Sequence, residues 1–265
     1  MKRGLAQRSL QAWSVAMYVF LYAPIAVLVV FSLNSAEQTA TWGGFTFRWY
    51  QELWQDEAIR AAAKNSLGIA AFTTVFSTAL GTAAALGLRD ASARIRKLAE
   101  PLLVLPIVLP DIIIGVALLR LFAAVGMELG FWTIALSHLV FCTSYVVVLV
   151  RARLAGVDRS LEEAAADLGA TPWATFWLVT LPQIAPAVVA GALLVLTLSL
   201  DDYLVTSFVA GVGDTTLPIQ IYSMIRKRIT PEINAICTVL MVITTAVIAL
   251  SWLLERRSAA LRDSR

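Results

Sequence analysis

Residues 160–182 read SLEEAAADLGATPWATFWLVTLP, the most polar and turn-rich interval of an otherwise strongly apolar chain. Ser160, followed three residues later by Glu163, has the form of a capping box, in which a hydroxyl and a carboxylate each satisfy a free backbone donor at a helix start. Leu161, Ala164, Ala165 and Leu168 then fall on one face at helical spacing, and Gly169 is the residue best able to leave the helix through a left-handed turn. A second helix is expected at once, because Thr171 suits an N-cap and Pro172 suits the first helical position, where no amide donor is needed. Pro182 is expected to end it. The stretch therefore predicts two short helices joined by a tight turn.

The rest of the chain explains why such a hydrophilic insert is needed. Of 265 residues, 59% are hydrophobic and 15% charged, and the apolar residues come in runs long enough to cross a bilayer. These runs cover about 13–33, 66–88, 101–123, 131–150, 184–210 and 234–254. The fold class is an all-α integral membrane protein with six transmembrane helices, and with no internal repeat or low-complexity linker the whole chain, 1–265, reads as one domain. The first run follows Lys2, Arg3 and Arg8 and imitates a signal peptide, but its length favours a retained helix.

The basic residues give the orientation. With both termini in the cytoplasm, the inner segments hold Lys2, Arg3, Arg8, Arg89, Arg94, Arg96, Lys97, Arg151, Arg153, Arg159, Arg256, Arg257, Arg262 and Arg265. The outer loops hold Arg48, Arg60, Lys64, Arg226, Lys227 and Arg228, and Arg120 lies inside a span. Fourteen against six satisfies the positive-inside rule and puts residues 160–182 in the cytoplasm. The formal charge of +3 is thereby accounted for without a nucleic-acid partner, and the short basic C-terminal tail reads as an anchor to membrane lipid.

Several local features shape the spans. The first outer loop carries Phe47, Trp49, Tyr50, Leu53 and Trp54 among polar residues, as an amphipathic segment at the membrane interface would; a docking surface for an external partner is the other reading. Ser77, Gly81 and Ala85 recur at four-residue spacing in the second span, so a neighbouring helix can approach closely. Pro106 and Pro110 should kink or break the third span near its middle. The fifth span follows directly on residues 160–182, so displacement of that element would reach Asp201 and Asp202. Gly211, Gly213 and Pro218 break the last outer loop.

Nucleotide-binding and hydrolase signatures are absent: there is no G-x-x-x-x-G-K-[ST], no H-E-x-x-H and no G-x-S-x-G. Cys142 and Cys237 lie within apolar runs and read as small buried hydrophobes, and no metal site is expected. His138, the single histidine, is best explained as hydrogen-bonded to a neighbouring helix. The carboxylates are harder to retain without a purpose. Asp111 falls about ten residues into the third span, near the bilayer midplane, and Asp201 and Asp202 fall in the outer half of the fifth. A charge at such depth costs about 3 kcal/mol on insertion scales, so these residues should face a polar pathway or pair with a cation; Arg120 is the cation within the spans. Adjacent on a helix, Asp201 and Asp202 would point roughly 100° apart, so one is expected to face the pathway, and Asp202, on the wetter stripe with Ser199 and Thr206, is favoured over Asp201, which shares a face with Thr197. Tyr203 offers an aromatic wall beside them.

The pattern formed by Glu163, Ala164, Ala165, Asp167, Gly169, Leu181 and Pro182 resembles the cytoplasmic EAA loop of ABC importer permeases. The runs LPIVLPDIIIGVALL around Asp111 and LTLSLDDYLVTSF around Asp201, with the NSL that starts the second span, narrow the resemblance to the spermidine/putrescine class, second permease subunit type. The resemblance covers nearly the whole chain. It implies the type I ABC importer permease fold in a bacterial cytoplasmic membrane, with residues 160–182 as coupling helices that dock on a separate ATPase subunit. It further implies a second permease, two ATPase subunits that bind ATP and magnesium, and an extracytoplasmic binding protein. This chain would then be a non-catalytic subunit carrying no cofactor, with Asp111, Asp201, Asp202 and Tyr203 along a path for polyamines. An importer of another small organic solute, such as an amino acid derivative, opine or phosphonate, is the alternative. A proton-coupled secondary transporter using Asp111 and His138 is disfavoured by the absence of repeats, and an intramembrane enzyme by the lack of a catalytic constellation.

Overall fold

Long apolar runs with few breakers leave a chain in lipid one practical solution, in which every backbone polar group is satisfied within its own helix. The computed structural model describes residues 2–37, 41–227 and 230–263, and its regular structure is helical apart from one antiparallel bridge between Asn34 and Phe45. Of the basic residues that set the orientation, Arg228 and Arg265 lie outside the described residues, as do the side chains of Lys2, Arg3, Arg8, Arg256, Arg257 and Arg262.

The helices are α1 (Lys2–Phe31), α2 (Arg48–Gln55), α3 (Glu57–Arg89), α4 (Ala93–Val108), α5 (Asp111–Ala124) and α6 (Phe131–Leu154). They continue with α7 (Ser160–Asp167), α8 (Pro172–Thr175), a π turn (Phe176–Thr180), α9 (Leu181–Asp201), α10 (Leu204–Val209), α11 (Leu217–Lys227) and α12 (Pro231–Asp263). Among the described residues, Leu10–Phe31, Glu57–Arg89, Phe131–Leu154 and Pro172–Asp201 are each long and apolar enough to cross a membrane. The pair α4 and α5 passes the same test only together, and Pro231–Ala246 is a shorter apolar stretch.

Two expected spans are interrupted. The run 101–123 is not a kinked rod: α4 and α5 are bent by 111° at Leu109 and Pro110. Pro110 has no amide to donate and disfavours helical geometry at Leu109, which is extended at φ −72°, ψ 139°. The run 184–210 stops as α9 at Asp201, and Asp202 is extended before α10 begins. The expected 100° separation of Asp201 and Asp202 on one helix is corrected accordingly.

The chain forms two compact units, the described residues of Met1–Arg60 with Ile221–Arg265, and Ala61–Gln220. In the first, α12 packs on α1 and α2. The aromatic segment between α1 and α3 has an inward and an outward side: Trp49 and Leu53 are buried, Trp49 Nε1 donates to the Asn34 carbonyl at 2.6 Å, and Phe47 and Trp54 stay exposed. Asn34 Oδ1 accepts from the Ala36 and Gly43 amides, so the segment after α1 is pinned to its own side chain.

The second unit holds the larger core, with Ile69, Ile134, Val146, Ile184, Val195 and Val205 fully or almost fully buried. Its densest contact is α6 against α9. The small-residue stripe of α3 serves as the spacing suggests: a Cβ on Gly81 would stand 2.6 Å from Val146 Cβ and 3.0 Å from the Thr143 carbonyl of α6. Gly81→Val is therefore expected to destabilise the protein by about 1–3 kcal/mol, seen as a lower thermal midpoint in detergent; an unchanged midpoint would show that the two helices can part without loss.

Candidate coupling surface and translocation path

The helix at 160–167 starts differently from the capping-box expectation. Arg159 is already helical and its carbonyl accepts from Glu162 and Glu163, so Ser160 lies inside the first turn. The flanking donor is held by Asp158, whose Oδ1 accepts the Ser160 amide at 2.9 Å, and this bond keeps the Asp158 carboxyl below its usual pKa. Glu163 is thus free of capping duty and exposed, as are Ala164 and Asp167, with Ala165 half-buried. The exit follows the expected route. Gly169 has φ +85°, and the Ala170 and Gly169 amides bond the Ala165 and Ala166 carbonyls, the Schellman pattern. Thr171 Oγ1 then accepts from the Ala174 amide at 3.3 Å, with Pro172 opening α8.

Pro182 does not end the second helix. It sits at the start of α9, half a turn beyond a π turn in which the Leu181 amide reaches back to the Phe176 carbonyl. The wider turn absorbs the missing proline donor, and Gln183 Nε2 caps the Val179 carbonyl at 3.0 Å. Leu181 is half-buried and Pro182 exposed, so the motif's last two residues root the fifth span instead of terminating a loop.

The exposed face of this element is apolar as well as acidic. Leu161, Leu168 and Trp173 are 50%, 89% and 70% exposed, next to the exposed carboxylates Glu163 and Asp167. Such a patch on a hydrophilic insert marks a surface meant to be covered. Behind it, Glu162, which the sequence reading passed over, is turned inward onto Arg89 and Thr180. Burial raises the Glu162 pKa, but hydrogen bonds from Arg89 and Thr180 and the nearby positive charges outweigh it, leaving the carboxyl below its usual value. A depressed folded-state pKa contributes stability that is complete above the ordinary carboxylate range, about 4.3, and lost as pH falls through the lowered value. The pair is therefore intact at neutral pH.

The intramembrane carboxylates separate into two kinds. Asp202 is engaged: its carboxylate accepts from the Thr206 amide at 2.8 Å and the Thr206 hydroxyl at 2.7 Å, and His138 Nε2 lies 3.3 Å away. His138 is 1% exposed and spans the break, with Nδ1 2.8 Å from Ser199 Oγ and Nε2 2.9 Å from Thr206 Oγ1. This bears out a histidine bonded across helices, and the stripe of Ser199, Asp202 and Thr206 is polar because it holds His138. Asp111 and Asp201, by contrast, are exposed and have no hydrogen-bond or ion-pair partner among the described residues. Asp111 occupies the first turn of α5, where the positive end of the helix favours an anion. Asp201 occupies the last turn of α9, where the carbonyl ends add to its negative potential. Arg120 joins none of the three in the ion pairs among the described residues, and Tyr203 is half-buried at the break.

The two breaks are neighbours. Gly115 leaves room for the Phe208 ring, whose Cδ2 would stand 2.6 Å from a Cβ there, so α5 lies against α10. Asp111 is one turn from this contact along α5 and Leu204 one turn from it along α10, each about 6 Å. The arrangement places two exposed carboxylates close to helix breaks.

A family model described as "Binding-protein-dependent transport system inner membrane component" matches residues 77–258. The putrescine transport system permease protein PotI of Escherichia coli (strain K12) is 43% identical over 249 residues, covering 91% of this chain and 88% of that protein. The spermidine/putrescine transport system permease protein PotC of the same strain is 40% identical over 241 residues, covering 91% of each. Among solved structures, a bacterial ABC transporter involved in the import of the acidic polysaccharide alginate superposes with a TM-score of 0.75 at 16% identity, covering 97% of this chain and 96% of that one.

Proposed function

Because the chain belongs to the family of binding-protein-dependent transport system inner membrane components, we propose that it forms half of the path of an ATP-driven importer for putrescine or spermidine. It is a multi-pass inner-membrane permease subunit of an ABC importer, with the all-α permease fold, and is not itself the catalyst. The other half of the path is a second permease. Two ATPase subunits, holding ATP and magnesium, dock on the surface of Leu161, Glu163, Leu168 and Trp173, and an extracytoplasmic binding protein delivers the substrate. Both termini lie in the cytoplasm, and the two compact units act as one transmembrane domain.

The observation that carries the substrate class is the pair of exposed carboxylates, Asp111 and Asp201, which have no partner among the described residues and lie at helix breaks that adjoin through Gly115 and Phe208. A flexible diammonium ion matches two separated carboxylates, and its methylenes match the half-buried Tyr203. The relatives' names support the same class. Asp202, already satisfied by His138 and Thr206, shapes the break and leaves Asp201 to the path.

The test is uptake of labelled putrescine and spermidine into proteoliposomes containing the assembled transporter. Asp111→Asn and Asp201→Asn are each expected to reduce uptake at least about tenfold, the loss of one charge-assisted contact, with normal assembly and basal ATP hydrolysis. Wild-type uptake by both variants would remove the path assignment. Competition by an amino acid derivative, an opine or a phosphonate, but not by polyamines, would favour another solute, and uptake persisting without the ATPase subunits would favour a secondary transporter.

A further inference from the structure

We propose that Glu162 is a positioning residue for energy coupling: it ties the end of α3 and the root of α9 to α7, so that all three move together when α7 is displaced. The proposal rests on residues 160–182 being the ATPase-docking element. Glu162 Oε1 accepts from Arg89 Nη1 at 2.9 Å and from Thr180 Oγ1 at 2.6 Å, one oxygen joining three elements. The partners lie 73 and 18 residues away in sequence. The Glu162 and Arg89 side chains are 17% and 20% exposed and Thr180 is buried, so solvent and salt screen this contact far less than an open surface pair. A second bridge, Arg159 to Asp90 at 3.0 Å, follows the same course but is well exposed and adds little.

The covalent route from α7 to α9 is a poor transmitter. It passes through Gly169, which has a left-handed backbone and no atom near its Cβ position, and through the exposed Leu168 before reaching α8 and the π turn. A push on α7 could be taken up there by rotation about a few backbone angles. The Glu162 bond to Thr180 bypasses that turn, and the bond to Arg89 carries the displacement to a second spanning helix. The π turn contributes the geometry, since one extra residue rotates Thr180 by about 100° relative to the helix that follows. The adjacent carboxylates thus divide the work: Glu163 faces outward and Glu162 faces the body of the protein.

The experiment measures polyamine uptake and ATP hydrolysis together in the complete reconstituted transporter, and the amount of ATPase subunit that co-purifies. Glu162→Ala is expected to keep the ATPase bound and hydrolysing while uptake per ATP falls about tenfold. Thr180→Val, which keeps the ion pair and loses one hydrogen bond, is expected to lower the ratio about threefold. The charge exchange Arg89→Glu with Glu162→Arg should restore coupling to within about threefold of wild type, which a merely destabilised protein would not do. A wild-type ratio in Glu162→Ala overturns the proposal and leaves docking intact. If Glu162→Ala does not assemble, the exchange variant decides: restored coupling supports the clamp, and an assembled but uncoupled exchange variant overturns it. Cross-linking of the wild-type ATPase to a site away from residues 160–182 would instead overturn the docking reading on which the clamp depends.

Discussion

Gly169→Val is expected to abolish uptake while leaving membrane insertion and helix content unchanged. Gly169 has φ +85° at the end of α7, a region that costs an L-residue about 1–2 kcal/mol and a β-branched one more. Nothing lies within 4 Å of a Cβ there, so the penalty is purely conformational and cannot be met by moving a neighbouring side chain. The backbone escapes only by unwinding the turn, which breaks the bonds of Ala170 and Gly169 to Ala165 and Ala166 and swings α8 away from α7. Leu168 and Trp173, on either side of the turn, would then no longer present one surface. Gly169→Ala is expected to retain part of the activity, since only the smaller penalty applies. The measurements are labelled polyamine uptake, circular dichroism of the purified chain, and ATPase co-purification. Normal uptake by the valine variant, with the ATPase bound, would show that the handedness of this turn does not matter for docking.

The second large effect is on stability. Asp202→Ala is expected to cost about 1–3 kcal/mol for each donor left unsatisfied, because it removes the acceptor of the Thr206 amide and hydroxyl in a buried site beside His138. Asp202→Asn keeps one acceptor oxygen and should cost less. Asp201→Asn, one residue away, should leave the thermal midpoint nearly unchanged, because that carboxylate is exposed and without a partner among the described residues. The midpoints in detergent separate the two, and a double-mutant cycle with His138→Ala should show that the penalties do not add. Equal midpoints for Asp201→Asn and Asp202→Ala would mean that the cap on α10 is not what holds the break. On the proposed path this contrast assigns different work to neighbouring aspartates: Asp202 holds the break through Thr206 and His138, and Asp201 is left to the substrate.

These two sites also show how far a sequence can be read. Gly169, Thr171 and Pro172 are legible in the sequence because turns and caps are set by neighbouring residues: a residue tolerant of positive φ, a side-chain acceptor three positions before a free amide, and a ring with no donor to lose. Pro110 broke the third span for the same local reason, though the size of the bend depends on what the two halves pack against. Ser160 and Glu163 misled because the chain was already helical at Arg159, which a pattern of residue types does not reveal. At Pro182 a missing donor is not a stop, because one wide turn accommodates it.

By itself, the sequence determined the membrane class, the interruption of the third span, and the turn at Gly169, since hydropathy and backbone preference act over a few residues. The tertiary structure alone decided which glutamate of the pair at 162 and 163 faces the protein, which aspartate of the pair at 201 and 202 is bonded across the break, and that two helix breaks adjoin at Gly115 and Phe208. Each of these depends on partners from distant segments: Arg89 for Glu162, His138 for Asp202, Phe208 for Gly115. The physical reason is that a buried polar group takes its role from whichever donor or acceptor the fold brings within hydrogen-bonding distance, and that distance is not a function of local sequence.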